Sequence, residues 1–275
     1  MIDHPFLGEL CSSTDSKIIL LVADGLGGLP RPETGKSELE EAYTPNLDDL
    51  AGRSACGLTV PVGPGITPGS GPGHLALFGY DPLKYAIGRG VLEALGIGID
   101  LGPGDIAVRC NFCTVDHGGR LIDRRAGRIR SSESGPLVEQ LADITVEGAE
   151  LLVEPVQDYR FVVVFKAEGL GQDVSDTDPQ RLGVQPHNPV GTGQPSKTTA
   201  RLASQFIDAA RDILGSRQTA NMILMRGFSR IPTWPQFAPG YGLEPCAVAA
   251  YPMYRGLASL VGMKVIPTGL NKEGL

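Results

Sequence analysis

Apolar residues in this chain recur at three spacings, and each spacing predicts a different element. Lys17-Ile-Ile-Leu-Leu-Val-Ala23 is continuously apolar, the signature of a strand buried on both faces, and it runs into Asp24 and the turn Gly25-Leu-Gly-Gly28. Ile106–Val115 alternates instead, which predicts a strand with one buried face, and Asp116-His-Gly-Gly119 after it is a hairpin signal leading to Leu121. Behind Ser196 as N-cap, Ala200, Leu202, Ala203, Phe206, Ile207, Ala210, Ile213 and Leu214 keep a helical period, so Thr198–Leu214 predicts a long amphipathic helix.

Weaker patterns fill the intervals. Thr44-Pro45 opens a short helix through Leu50, Ala55–Val60 reads as a strand, and Val91–Leu95 as a helical piece. A helix over about Ser132–Leu141 precedes two strands, Ala149–Val153 and Tyr159–Lys166, joined at Gln157-Asp158. Asp173–Gly193, holding Asp176, Asp178, His187 and Asn188, reads as a long loop of the kind that carries function. Strand Asn221–Met225, turn Arg226–Ser229, strand Cys246–Ala250, helix Tyr254–Val261 and strand Met263–Ile266 follow. The two ends have α/β punctuation and the middle is α+β. The fold class expected is therefore α/β, with a split domain (1–104 and 236–275) around an insert (105–235). The strands at Ile18–Ala23, Cys246–Ala250 and Met263–Ile266 are expected to share one sheet.

Composition narrows the function classes. A net charge of −7 argues against nucleic acid as the main partner, and no apolar run approaches the roughly 20 residues of a membrane span. Five scattered cysteines and no leader-like start point to a reducing, cytoplasmic setting. Cys110-Asn-Phe-Cys113 has no second pair at zinc spacing and lies inside a strand pattern.

Three places carry candidate chemistry. Ser70 stands among Gly65, Gly69, Gly71 and Gly73, directly before an apolar helical run that Pro72 can begin, so its hydroxyl sits at a helix N-terminus, where anions are favoured; a plain surface-loop serine is the alternative. Asp24, at the carboxyl end of the predicted buried strand, occupies the position where open α/β sheets place ligand groups, or is a simple turn residue. Arg124, Arg125, Arg128 and Arg130 crowd one turn of an acidic chain, either as a solvated hairpin tip or as a grip on a small phosphorylated acid, whose carboxylate and phosphate suit guanidinium forks.

Taken together, Val22-Ala-Asp-Gly-Leu-Gly27, Thr44-Pro-Asn-Leu-Asp48, Pro68-Gly-Ser-Gly-Pro-Gly-His74 through Pro82, Gly88-Arg-Gly90, Arg109-Cys-Asn-Phe112, Asp123-Arg-Arg-Ala-Gly-Arg128, His187–Gly193, Met225-Arg-Gly227 and Ala250–Gly256 resemble the archaeal-type cofactor-independent phosphoglycerate mutases of the alkaline phosphatase superfamily. The resemblance implies an alkaline-phosphatase-like sheet flanked by helices. It implies Ser70 as the nucleophile, transiently phosphorylated, and Asp24 with Ser70 as ligands of two divalent ions, Mn2+ or Mg2+. His74, one helical turn beyond Ser70, either faces the site or packs in the core. Asp123, Arg124, Arg125 and Arg128, with Arg226 and Arg255, would grip phosphoglycerate while its phosphoryl group moves between the 3- and 2-hydroxyls through phosphoserine. The family's further metal ligands, Asp and His residues in a C-terminal stretch, have no counterpart in these 275 residues, so weak metal binding and negligible activity are expected of this chain alone. Another phosphotransferase or phosphohydrolase of the superfamily, and a non-catalytic form, are the alternative readings.

Overall fold

The structure is a computed structural model and describes residues 2–267. Helices α1 (Leu7–Leu10), α2 (Glu38–Glu41), α3 (Pro45–Gly52), α4 (Ser70–Leu77) and α5 (Arg89–Gly96) precede β1 (Ile106–Val115). Then come β2 (Leu121–Asp123), α6 (Ser131–Ala142), β3 (Glu150–Gln157), β4 (Arg160–Lys166), α7 (Gly193–Leu214) and β5 (Met222–Ser229). Helix α8 (Phe237–Tyr241), strand β6 (Cys246–Ala247), helix α9 (Pro252–Leu260) and strand β7 (Lys264–Val265) follow.

A five-stranded antiparallel sheet organises this mixed α/β structure. β1 lies between β4 and β5, β3 flanks β4, and β2 pairs with the last residues of β1. Ile106, Val108, Cys110 and Phe112 alternate onto one face, where they pack with Leu137 and Leu141 of α6 and Leu202 and Phe206 of α7. Ala107 points to the other face and joins Val162, Val164, Leu92 of α5 and Leu257 of α9. Nine of the ten β1 residues are buried, so the strand has two covered faces rather than the one its alternation predicts. The second cover comes from α5 and α9, whose place on the sheet no pattern within β1 reveals.

Close backbone approach fixes α5. A side chain at Gly90 would collide with the Ala107 carbonyl, and one at Gly256 would collide with the Leu92 carbonyl, so α5 is pinned between β1 and α9. This seats the first residues of α5 beside the end of the sheet where β1 carries Arg109 and Asn111.

The apolar ends depart from expectation. Residues 18–23 form no strand, and Ile18, Ile19, Leu20 and Leu21 are 59–89% exposed. A strand covered on both faces needs partners along both edges and packing above and below, and among the described residues none meets this run. Each large side chain left in water forgoes about 1.5–3 kcal/mol of burial. Ala55–Val60 is likewise irregular, with Leu58 and Val60 exposed. β6 and β7 pair in parallel, two residues each, but without the 18–23 segment. Arg226–Ser229, expected as a turn, continues β5 through an irregularity at Gly227, whose φ is +68° and where a Cβ would lie 2.6 Å from the Arg89 nitrogen.

Candidate functional site

Beyond Ala107, the face of β1 that meets α5 changes character. Arg109 lies directly opposite Arg226 of β5, and Asn111 opposite Arg160 of β4. With Arg89 at the start of α5 and Arg124, Arg125, Tyr159 and Asp178, these side chains line a cavity of about 90 Å3. Arg109 and Asn111 are each only 7% exposed, yet Arg109 Nε and Asn111 Oδ1 have no hydrogen-bond partner among the described residues. Unpaired polar groups at that depth are costly, and a bound polar ligand is what would satisfy them.

Carboxylates answer some of the positive charge. Buried Asp178 accepts from Arg124 Nε at 2.8 Å and Nη2 at 2.6 Å, and also from Arg226 Nη1 at 3.3 Å, while Asp176 takes Arg226 Nε at 3.1 Å. Burial pushes the Asp178 carboxyl up, but the Arg124 hydrogen bond, the Gln180 N–H and the charges of Arg124 and Arg226 outweigh it and hold the group below its ordinary value. Arg89, Arg109, Arg125 and Arg160 have no carboxylate within ion-pair reach among the described residues. Burial first, and then the Arg89 charge, bring Arg109 down to about 10, so it still carries its charge at neutral pH. Arg160 lies over the Tyr159 ring at 4.8 Å and the Tyr251 ring at 5.7 Å, aromatic faces that orient its guanidinium without neutralising it.

A second cluster surrounds Ser70. It begins α4, with Gly69 as N-cap and no side-chain cap, so its first-turn N–H groups carry no capping side chain. His74 Nδ1 lies 2.8 Å from the Ser70 carbonyl oxygen, and the ring stacks on Tyr254 at 4.3 Å, so His74 holds the first turn of α4 and packs in the core. The Tyr254 hydroxyl donates to Asp24 Oδ2. Burial, and next that hydrogen bond, raise the Tyr254 phenol. Gly71 rests on Leu92, so the start of α4 sits on the same helix that brings Arg89 to the cavity.

Asp24 and Ser70 supply one carboxylate oxygen pair and one hydroxyl. No group of three or more His, Cys, Asp or Glu side chains gathers into a metal site among the described residues. A hard divalent ion needs about six oxygen ligands, so these residues alone do not fit two such ions.

The remaining expected site residues lie elsewhere. Asp123 accepts from the N–H groups of Arg125 and Gly127 and fixes its own turn. Arg128 is exposed outside the cavity lining, at a φ of +56°. Arg255 donates to the carbonyls of Gly96 and Ala250, tying the end of α5 to the approach to α9. Arg124, Arg125 and Arg226 do converge, Asp178 of the long loop joins them, and Arg89, Arg109, Asn111, Tyr159 and Arg160 do so without having been expected as site residues. A readable signal existed: an arginine and an asparagine two residues apart put two polar groups on one face of an otherwise apolar strand.

Comparison with known proteins gives this geometry a family. Residues 51–220 match the family model described as 2,3-bisphosphoglycerate-independent phosphoglycerate mutase. The chain belongs to that family. It is 50% identical over 270 residues to a probable 2,3-bisphosphoglycerate-independent phosphoglycerate mutase of Thermotoga neapolitana, covering 98% of this chain and 67% of the relative. A protein of the same description from Aquifex aeolicus is 50% identical over 269 residues, covering 94% and 66%. Among solved structures, a Pyrococcus horikoshii protein matches at a TM-score of 0.72 and 30% identity over 90% of this chain and 61% of that one. A cofactor-independent phosphoglycerate mutase from Thermoplasma acidophilum matches at 0.58 and 30% identity, over 89% and 67%. The chain spans about two thirds of the length of the mutases it matches and 61% of the Pyrococcus horikoshii protein. The matched span of the mutase family takes in Ser70, His74 and every residue of the arginine cavity except Arg226.

Proposed function

We propose that this chain carries the substrate grip and the nucleophile of a phosphoglycerate mutase that needs no bisphosphorylated cofactor. The observation that carries the reading is the pair of buried, unpartnered polar side chains, Arg109 and Asn111, inside a cavity where four guanidinium groups have no carboxylate. A phosphoglycerate brings a carboxylate and a phosphate on a three-carbon frame, and charge-assisted, forked contacts with arginine suit both. The larger cleft, about 570 Å3 between α7 and residues 185–189, offers no comparable charge, because its Arg211 is paired with Asp208 at 3.1 Å.

In the reaction so proposed, Ser70 Oγ forms a bond to phosphorus as the bond to the 3-oxygen of the glycerate breaks, and the serine proton passes to that oxygen. The 2-hydroxyl of the held glycerate then takes the phosphoryl group back and returns a proton to Ser70. Between the two transfers the arginines must hold the dephosphorylated acid, which separates a mutase from a hydrolase. The divalent ions implied by the resemblance, of manganese or magnesium type, would supply charge stabilisation at the phosphoryl group when bound. We place the division of the chain at 1–104 with 236–275, and 105–235, with the cavity arginines drawn from both parts and a cytoplasmic setting. The test is 3-phosphoglycerate to 2-phosphoglycerate conversion, without bisphosphoglycerate, by this chain and by a form extended to the length of its relatives. Activity of the long form that survives Ser70→Ala removes the nucleophile assignment.

A further inference from the structure

Six guanidinium groups line the arginine cavity, and a guanidinium has hydrogen-bond donors and no acceptor. The side-chain acceptors of the lining belong to Asn111, Tyr159 and Asp178. Two of the three are engaged. The Tyr159 hydroxyl oxygen accepts from Arg160 Nη2 at 3.0 Å, and the Asp178 carboxylate accepts from Arg124, from Arg226 and, at 2.9 Å, from the Gln180 N–H. Asn111 Oδ1 is the acceptor left open, without a donor among the described residues and on a side chain only 7% exposed. β1 is held on both edges, with Asn111 opposite Arg160 of β4 and Leu224 of β5, so the sheet keeps the amide where it is.

The carboxylate and the ionised phosphate ester of a phosphorylated acid carry acceptors only, so they satisfy the arginines and leave this oxygen bare. A hydroxyl supplies the missing donor. We propose that Asn111 is the specificity-determining residue of the cavity: its side-chain carbonyl accepts a hydrogen bond from the free hydroxyl of the held acid, so the site selects a phosphorylated hydroxy acid over the same acid without the hydroxyl. In 3-phosphoglycerate that group is the 2-hydroxyl. An analogue without it closes Asn111 Oδ1 off from water and gives it nothing in return, and the penalty for a buried acceptor left unmade corresponds to about 10- to 100-fold in affinity. Sites built to hydrogen-bond a hydroxyl discriminate in this way, whereas apolar pockets do so weakly. The inference rests on the cavity being the substrate grip of the proposed mutase and adds the group that reads the hydroxyl.

The test is calorimetric titration of the whole chain with 3-phosphoglycerate and with the phosphate ester of 3-hydroxypropanoate, which differs only in lacking the 2-hydroxyl. The wild-type chain is expected to bind 3-phosphoglycerate about 10- to 100-fold more tightly. In Asn111→Leu, similar in volume and without polar atoms, affinity for 3-phosphoglycerate is expected to fall to that of the analogue, while the analogue binds at least as tightly as it does to the wild type. Equal affinities in the wild type overturn the proposal, and so does a preference that survives in Asn111→Leu. A loss of both ligands alike in a folded variant assigns Asn111 a structural role and overturns it as well. Should the variant fail to fold, the side-chain carbonyl carbon resonance of Asn111 in the wild type decides: it should shift with 3-phosphoglycerate and stay nearly in place with the analogue, and equal shifts overturn the proposal. If neither ligand binds the wild type, the substrate-grip reading falls and this inference with it. If both bind equally and both are lost in Arg109→Ala, only the role of Asn111 falls.

Discussion

Arg109 and Arg226 are direct cross-strand partners on β1 and β5, two guanidinium groups on neighbouring strands of one sheet face. Like charges so placed destabilise a sheet. Asp176 and Asp178 offset the Arg226 member, and Arg109 is left facing the cavity. A bound anion should therefore stabilise the fold as well as occupy the site. Sulfate at about 100 times its dissociation constant should raise unfolding free energy by about 2.7 kcal/mol, and Arg109→Met should lose most of that gain. Denaturant melts with and without sulfate measure it, and an equal gain in the variant would show that sulfate binds elsewhere.

Asp178 should act as the keystone beneath the arginines. Its carboxyl lies below its ordinary value of 3.8, so its ion pairs contribute their stability above that pH and lose it as pH falls through the lower folded value. Asp178→Asn should cost about 3 kcal/mol at neutral pH, because it leaves Arg124 and Arg226 without their buried partner. It should also flatten the acid limb of stability against pH, which acid-dependent thermal melts would show. A variant as stable as the wild type at pH 7 would remove the keystone role.

Gly90 tests the seating of α5. A methyl group there meets the Ala107 carbonyl, part of the sheet backbone that cannot move aside, so Gly90→Ala should destabilise by about 1–3 kcal/mol or more. The same shift should displace Arg89 and weaken anion binding in whatever fraction stays folded. Calorimetric melting together with a sulfate titration reads both effects; unchanged values would mean that α5 is not held as described.

Cysteine reactivity separates the core from the surface. Cys110 and Cys113 are buried and their thiols are pushed up by burial, whereas Cys11, Cys56 and Cys246 are exposed. A thiol reagent should titrate three groups in the native chain and five in denaturant. Rapid labelling of all five in native buffer would contradict the packing of β1.

What could be read from the sequence was local. Alternation located β1 at its observed bounds, the helical period located α7 to within a few residues at its start, and the Gln157-Asp158 turn located the β3–β4 hairpin. The run at 18–23 misled because continuous apolarity states a demand for burial and cannot say whether partners meet it. At the site, the clustered arginines of 124–128 stood out by proximity in the chain, yet Arg128 is exposed outside the cavity lining and Asp123 holds its own turn. Arg89 and Arg160 were not legible as site residues, and Asp178 only as a member of the long loop, because they reach the cavity from separate elements: antiparallel register sets Arg160 opposite Asn111, and Arg89 arrives at the start of α5.

The central claim is that the arginine cavity grips a phosphoglycerate. Its most direct test is calorimetric titration of 3-phosphoglycerate into the wild-type chain and into Arg109→Ala and Arg125→Ala, each verified as folded. One site per chain is predicted, with Arg109→Ala costing about 2–4 kcal/mol of binding, on the scale of charge-assisted contacts removed from a desolvated site, and Arg125→Ala, at an exposed residue, costing less. Absence of binding by the wild type, or equal affinity in all three chains, would contradict it.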